Sequence, residues 1–217
     1  MVVGLLSGYV IVNYSVNVWF NWGKCRKIAQ SWNCTWISDF FILFFLSDIM
    51  EFVIKEIDNN GAEIEDVKSF LYGQIKKEYG IGPDMRFHYD IEGIEEYYIN
   101  PSCNSFFIAY DGDKIVATAG IRAYDKDYEY FRGMYSKEDT ASIWRLMVDE
   151  NYRRYGLARK LVGKIESFSK LEGYSKIYLH THRYLDAALP FWKSLGYKIV
   201  LEEDDYDETT HMEKCLS

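Results

Sequence analysis

The run Leu146-Met147-Val148-Asp149-Glu150-Asn151-Tyr152-Arg153-Arg154-Tyr155-Gly156-Leu157-Ala158 is where this sequence most plainly carries chemistry. Apolar residues that read as the end of a strand feed a short turn, and the turn opens a long helical pattern. The first N–H groups of a helix have no internal acceptor and sit at the positive end of its dipole, so such a junction attracts anions. Gly156 has no side chain to hold a bulky phosphate away from the backbone, and Ala158 is small for the same reason. Arg153, Arg154 and Arg159 add positive charge. No Gly-Lys-Ser/Thr follows, and the glycine spacing of a dinucleotide fold is missing, so neither of those phosphate loops is present. A strand–turn–helix with one glycine also reads as an ordinary connection.

A second set of residues could move protons. His180 and His182 are two apart in a strand pattern, so their side chains share a face, and Tyr184 follows closely. A histidine on a strand also reads as a satisfied surface or core residue. The four cysteines, Cys25, Cys34, Cys103 and Cys215, form no CxxC pair and have no histidine at zinc-ligand spacing. Neither a disulfide framework nor a metal site follows, and they read as free thiols of a cytoplasmic protein. Cys103 and Cys215 also lack an adjacent base that would make either an acyl-carrying nucleophile.

These residues need a scaffold, and the pattern supplies one. Residues 52–57 read as a strand closed by Asp58-Asn59-Asn60-Gly61. Residues 63–79 repeat apolar positions at helical spacing (Ile64, Val67, Leu71, Ile75) until Gly80 and Gly82-Pro83. A short helix is expected at 91–99. Strands at 105–110 and 114–121 join through Asp111-Gly112-Asp113, a hairpin signal. After a polar, aromatic loop at 124–139 come a strand at 142–148 and an amphipathic helix at 156–172, with Leu157, Leu161, Ile165, Phe168 and Leu171 inward. A strand at 176–181, a helix at 186–195 capped by Asp186, and strands at 198–201 and 209–215 complete the order. This predicts one mixed α/β (α+β) domain.

With these elements in place, the sequence resembles the GNAT superfamily of acetyl-CoA-dependent N-acetyltransferases. Arg153-x-x-Gly156-x-Ala158 is similar to that family's Arg/Gln-x-x-Gly-x-Gly/Ala signature, and Leu146–Val148 precedes it at the family spacing. The run from Ala187 to Tyr197 looks like the family's later helix. The resemblance covers about residues 50–216. It implies a central twisted, mostly antiparallel sheet of six or seven strands flanked by four helices. It further implies that Arg153, Arg154, Tyr155, Gly156, Leu157, Ala158 and Arg159 hold the pyrophosphate of coenzyme A. Leu146, Met147 and Val148 would pair with its pantetheine arm and polarise the thioester carbonyl, and Trp192 would stand where the family often has a tyrosine near the thiol. The reaction implied is direct attack of a primary amine on the thioester of acetyl-CoA, which is a co-substrate here.

The resemblance is weakest for catalysis. Many family members carry Glu or His on the strand before the signature, where this chain has Ser142 and Trp144, and an Asn where it has Leu185. An amine must shed a proton before attack. His182 and Tyr184 are the candidates to relay it. Because of these departures, a protein that binds coenzyme A with little or no catalysis is the alternative reading.

Charge bears on the acceptor and on partners. The chain of 217 residues has 25 Lys+Arg against 33 Asp+Glu, a net charge of -8. Such a balance disfavours a nucleic-acid binder. Acidic residues cluster at 202–208 and at Asp125, Asp127 and Glu129, which in this family flank the acceptor opening; they would favour a cationic small-molecule or peptide amine. A solvated charge run is the plainer reading. A monomer or homodimer is expected.

The charge is unevenly spread. Residues 1–49 hold three of the 25 basic groups (Lys24, Arg26, Lys27) and two of the 33 acidic ones (Asp39, Asp48), so they carry +1 and the rest carries -9. Four of six tryptophans also lie there. Tyr14, Val16, Val18, Phe20 and Trp22 alternate at strand period. The boundary is placed between an extension, 1–49, and a domain, 50–217. The extension is open to three readings: translation assigned from too early a start, with Met50 the natural first residue; a segment packed on the domain or a partner; or a membrane-associated segment, the only expected route to membrane contact.

Overall fold

The computed structural model describes the backbone of residues 3–6, 9–14 and 16–21 and the whole of 52–216. The chain divides into two units, Met1–Glu51 and Phe52–Ser217. In the first, β1 (Val3–Leu6), β2 (Tyr9–Tyr14) and β3 (Val16–Asn21) form an antiparallel sheet in chain order. The remaining expectations for residues 1–49 lie outside the described residues. Among the described residues, no helix is long and apolar enough to cross a membrane.

The second unit is a seven-stranded sheet with helices on both faces. Its strands are β4 (Val53–Glu56), β5 (Ser105–Asp111), β6 (Lys114–Ala123), β7 (Thr140–Val148), β8 (Lys176–His182), β9 (Lys198–Glu202) and β10 (Thr209–Cys215). They lie in the order β4-β5-β6-β7-β8-β10-β9, and only β7–β8 is parallel. The helices are α1 (Gly61–Tyr79), α2 (Met85–Glu92), α3 (Leu157–Leu171) and α4 (Ala188–Ser194). The mixed α/β architecture expected from the sequence is therefore present.

Strand alternation sorts the core into two layers. Phe107 and Ala109 of β5 pack with Leu157, Leu161 and Ile165 of α3, whereas Phe106 and Ile108 pack with Val67, Leu71 and Ile75 of α1. Asn60 accepts from the Ala62 N–H at the start of α1, and Gly80, at φ 68°, closes it.

Some boundaries differ from expectation. The short helix foreseen at 91–99 is α2, capped by Asp84, followed by a π-helical turn at Glu95–Ile99. Its start was hidden because Met85 and Phe87 are apolar yet exposed. Asp186 does not cap α4, which starts two residues later. Leu171, read as inward, is 85% exposed because α3 ends there, beyond the edge of the core.

Candidate functional site

The parallel pair β7–β8 is joined at Thr140–Lys176, Ala141–Ile177 and Ser142–Tyr178, and no pairing continues past them. From Ile143 onward β7 is paired only with β6, so its other edge is left without a strand partner where β7 and β8 diverge. Beside the divergence β7 also carries a bulge. Trp144 is opposite Gly120 and Met147 opposite Thr118, so three steps on β7 match two on β6. Arg145 takes up the extra residue at φ 49°, and its carbonyl accepts from the Thr118 hydroxyl at 3.0 Å. The bulge switches the strand's faces: Ala141 and Ile143 point to the α3 layer, and beyond it Leu146 and Val148 do so.

The strand ends in a turn that sets up α3. Asp149 accepts from the Asn151 backbone and side-chain N–H groups, both at 3.0 Å. Arg154 and Gly156 take left-handed backbone conformations, at φ 72° and 79°. Gly156 is the N-cap of α3 with no side-chain cap, and the Lys160 N–H donates to its carbonyl at 3.0 Å. The N–H groups of Leu157, Ala158 and Arg159 thus precede the first intrahelical hydrogen bond. Arg159 donates to Ser194 Oγ at 3.1 Å, tying this end of α3 to α4. Arg153 reaches Glu78 of α1 at 2.9 Å and the Val148 carbonyl at 3.4 Å. Arg154 and Tyr155 are exposed. A free strand edge leading to an uncapped helix start with exposed arginines fits an extended, phosphate-bearing thioester such as acetyl-CoA.

Trp192 belongs to the same cluster as Leu157, against which Leu146 and Val148 also pack. It is buried in the α3 layer, with its ring at 5.0 Å from Phe191 and 5.1 Å from Tyr197.

His182 and Tyr184 lie together, their rings stacked at 5.2 Å and 9°. His182 Nδ1 is 2.8 Å from the Asp207 carbonyl, which can only accept, so Nδ1 carries the hydrogen. In the neutral ring Nε2 then keeps its lone pair. Burial raises the Tyr184 pKa to about 12, which keeps the phenol protonated at neutral pH. Burial and the charge of Lys126 lower the His180 pKa to about 3, so that ring is neutral.

Sequence reading missed a polar cluster on the side of the sheet away from α3. Arg145 donates to Asp90 of α2 through Nε (2.9 Å) and Nη2 (2.5 Å), and Tyr98 donates to the same carboxylate at 2.6 Å. Burial acts to raise the Asp90 pKa, but the bonds and charge of Arg145 outweigh it and hold the group below its ordinary value. Arg122 pairs with Asp125. An arginine inside the apolar run Ile143–Met147 was the available signal.

The acidic run is largely engaged. Glu203 accepts from Tyr130 and His211, Asp205 caps Thr209, and Asp204 and Glu208 pair with Arg183. Among the described residues, no cluster of His, Cys, Asp and Glu could hold a metal ion.

The pattern of the acetyltransferase (GNAT) family matches residues 72–197, more than half the chain. The chain belongs to the GNAT family. Within it, N-acetylaspartate synthetase of Danio rerio is 28% identical over 123 residues, which are 57% of this chain and 40% of that protein. The chain therefore spans less than half the length of this relative. An acetyltransferase from Streptococcus agalactiae superposes with a TM-score of 0.62 at 22% identity, over 76% of this chain and 98% of that one. A Salmonella typhimurium protein solved with its cofactor acetyl-CoA superposes at 0.57 and 13% identity, over 76% and 94%. These likenesses support the GNAT fold, and with it the mostly antiparallel sheet described above.

Proposed function

We propose that residues 50–217 of this GNAT chain transfer the acetyl group of acetyl-CoA to a primary amine by direct attack on the thioester. The observation that carries this reading is the free edge of β7 running from its bulge to the uncapped start of α3. Acetyl-CoA supplies an activated acyl group, so the chain's own task is to bind, align and manage protons. Leu146, Met147 and Val148 would offer their unpaired edge to the pantetheine arm. Leu157, Ala158 and Arg159 would present N–H groups to the pyrophosphate, with Arg153, Arg154, Tyr155 and Gly156 around them. Trp192, the buried residue of α4, would shape this site from behind.

His182 Nε2, with its lone pair available, would take the amine proton, directly or through water. Tyr184, stacked on it and protonated, would supply a proton to the departing thiolate. The acceptor is ammonium-bearing before it loses that proton, and the carboxylate of Asp207, in the loop that orients His182, would favour its approach. The name of the relative, N-acetylaspartate synthetase, makes aspartate one acceptor to try.

Thiol release from acetyl-CoA, measured across diamines, lysine peptides, amino acids and simple alkylamines, tests the reading. Amine-dependent release with an N-acetylated product by mass spectrometry is expected. Thermal protection by acetyl-CoA without release from any amine would favour the coenzyme A-binding alternative.

A further inference from the structure

Three cationic side chains meet at the Trp144 ring on the face of the sheet away from α3. Lys126 Nζ is 3.4 Å from its centroid, the Arg122 guanidinium carbon 4.6 Å and that of Arg145 5.8 Å. Two carboxylates answer them: Asp90 takes Arg145 and Asp125 takes Arg122. Lys126 itself makes no salt bridge among the described residues and feels Asp125 and Asp90 only at longer range, in a chain whose net charge is -8. Lys126 is also half-buried, so water does little to compensate.

The neighbours of Lys126 are unsatisfied too. Arg122 is 4% exposed, and its Nη1 has no hydrogen-bond partner; Trp144 Nε1 is likewise buried without an acceptor. Buried donors of this kind are rare and call for an explanation. Here two of them, and an unpaired ammonium, surround one indole. Each of the three could donate a hydrogen bond to an added oxygen, which the ammonium would favour as a negatively charged one.

Their place in the fold points to the acceptor. Trp144 on β7 and His180 on β8 both lie beyond Ser142–Tyr178, the last pair before the strands diverge. Lys126 Nζ, 3.4 Å from the Trp144 ring, is brought to this place by that contact. Trp144 lies one residue before the bulge and just past the start of the free edge. Asp127, next in the chain, is exposed and forms no ion pair among the described residues.

We propose that Lys126, with Arg122 Nη1 and Trp144 Nε1 behind it, binds a carboxylate carried by the amine acceptor, which is therefore a free amino acid rather than a polyamine. The subsite rests on the acetyl-transfer reading above for its role, but its affinity for a carboxylate is separately measurable. The carboxylate would take the place opposite Lys126, and the amine of the same molecule would be held toward β7.

The test uses the full chain saturated with coenzyme A. Binding of aspartate, alanine, ethylamine and putrescine is measured by titration calorimetry for the wild type, Lys126→Met and Lys126→Arg. Wild type should bind aspartate and alanine in preference to ethylamine and putrescine. Lys126→Met should weaken amino-acid binding by on the order of 10-fold, as expected for losing a charged hydrogen bond, and Lys126→Arg should restore most of it. Matched melting curves verify that the variants fold. In turnover, the ratio of alanine to ethylamine kcat/KM should fall in Lys126→Met, through KM. Wild type that binds neither amino acid, prefers putrescine, or is indifferent to Lys126→Met overturns the subsite. Failure of acetyl transfer itself looks different: no thiol release from any amine, with Lys126-dependent aspartate binding intact.

Discussion

Arg145 and Asp90 are joined by two hydrogen bonds, at 2.9 and 2.5 Å, that tie the bulge of β7 to helix α2. The pair fixes the one residue that displaces the strand's register beside the unpaired edge of β7. Asp90 is fully buried, and Tyr98 saturates the same carboxylate. Removing one partner of such a pair strands the other charge without water. Arg145→Met is therefore expected to cost roughly 3–5 kcal/mol, measured as a fall in the urea midpoint at unchanged slope. A cost below about 1 kcal/mol would mean that Asp90 finds another partner or takes up a proton.

The same pair predicts an acid dependence. Asp90 titrates below its ordinary 3.8 in the folded chain, since the bonds and charge of Arg145 override the opposing effect of burial. As pH falls, the unfolded chain binds this proton first. The stabilisation is complete above the unfolded value and is lost as pH drops through the folded one. Asp90→Asn should flatten that part of the stability curve below about pH 4, and a curve parallel to wild type there would refute the assignment.

For proton transfer, His182→Ala should lower kcat on the order of 100-fold and change the shape of the turnover-against-pH profile, with a smaller loss in Tyr184→Phe. Acetyl-CoA protection against heating should survive both changes. An unchanged profile in both variants would remove them from the proton path.

How far the site could be read from sequence follows from distance along the chain. The strand–turn–helix at 146–158 is contiguous, and its chemistry comes from backbone groups that local pattern places. His182 and Tyr184 are likewise close in sequence, and the structure stacks them. The Arg145–Asp90 pair spans 55 positions, and the meeting of Lys126 with Trp144 depends on a loop folding back across diverging strands. Periodicity carries no information about either. Trp192 was placed by analogy to a helix position, but which way that ring turns depends on Phe191 and Tyr197, which it packs against. The carboxylates of 202–208 looked free as a run because their partners, Tyr130, Arg183 and His211, come from other parts of the fold.

Gly156 provides a test of the cofactor cradle that leaves every side chain in place. Its φ of 79° is in the left-handed region, while a Cβ there would meet nothing within 4 Å. Gly156→Ala therefore carries backbone strain without a clash, worth about 1–2 kcal/mol. The melting temperature should fall modestly, and the KM for acetyl-CoA should rise as the turn relaxes or the methyl group crowds the phosphates. An unaltered KM would separate this turn from the cofactor.

Gly120 isolates the role of the bulge's partner strand. Unlike Gly156, it lies in a crowded place: a Cβ would stand 2.6 Å from Tyr98 Cε1 and 3.0 Å from Phe106 Cδ2. Gly120 is also the residue opposite Trp144, on the near side of the bulge. Both rings are fully buried, and Tyr98 is further held by its bond to Asp90, so neither can turn aside freely. Gly120→Ala is expected to destabilise by about 1–3 kcal/mol through overpacking. Because the displaced Tyr98 pulls on Asp90, the variant should be non-additive with Arg145→Met by 0.5 kcal/mol or more, roughly the coupling expected for contacting residues. A double-mutant cycle in urea measures that coupling. Strict additivity would show that the glycine serves only ring packing and has no part in holding the bulge.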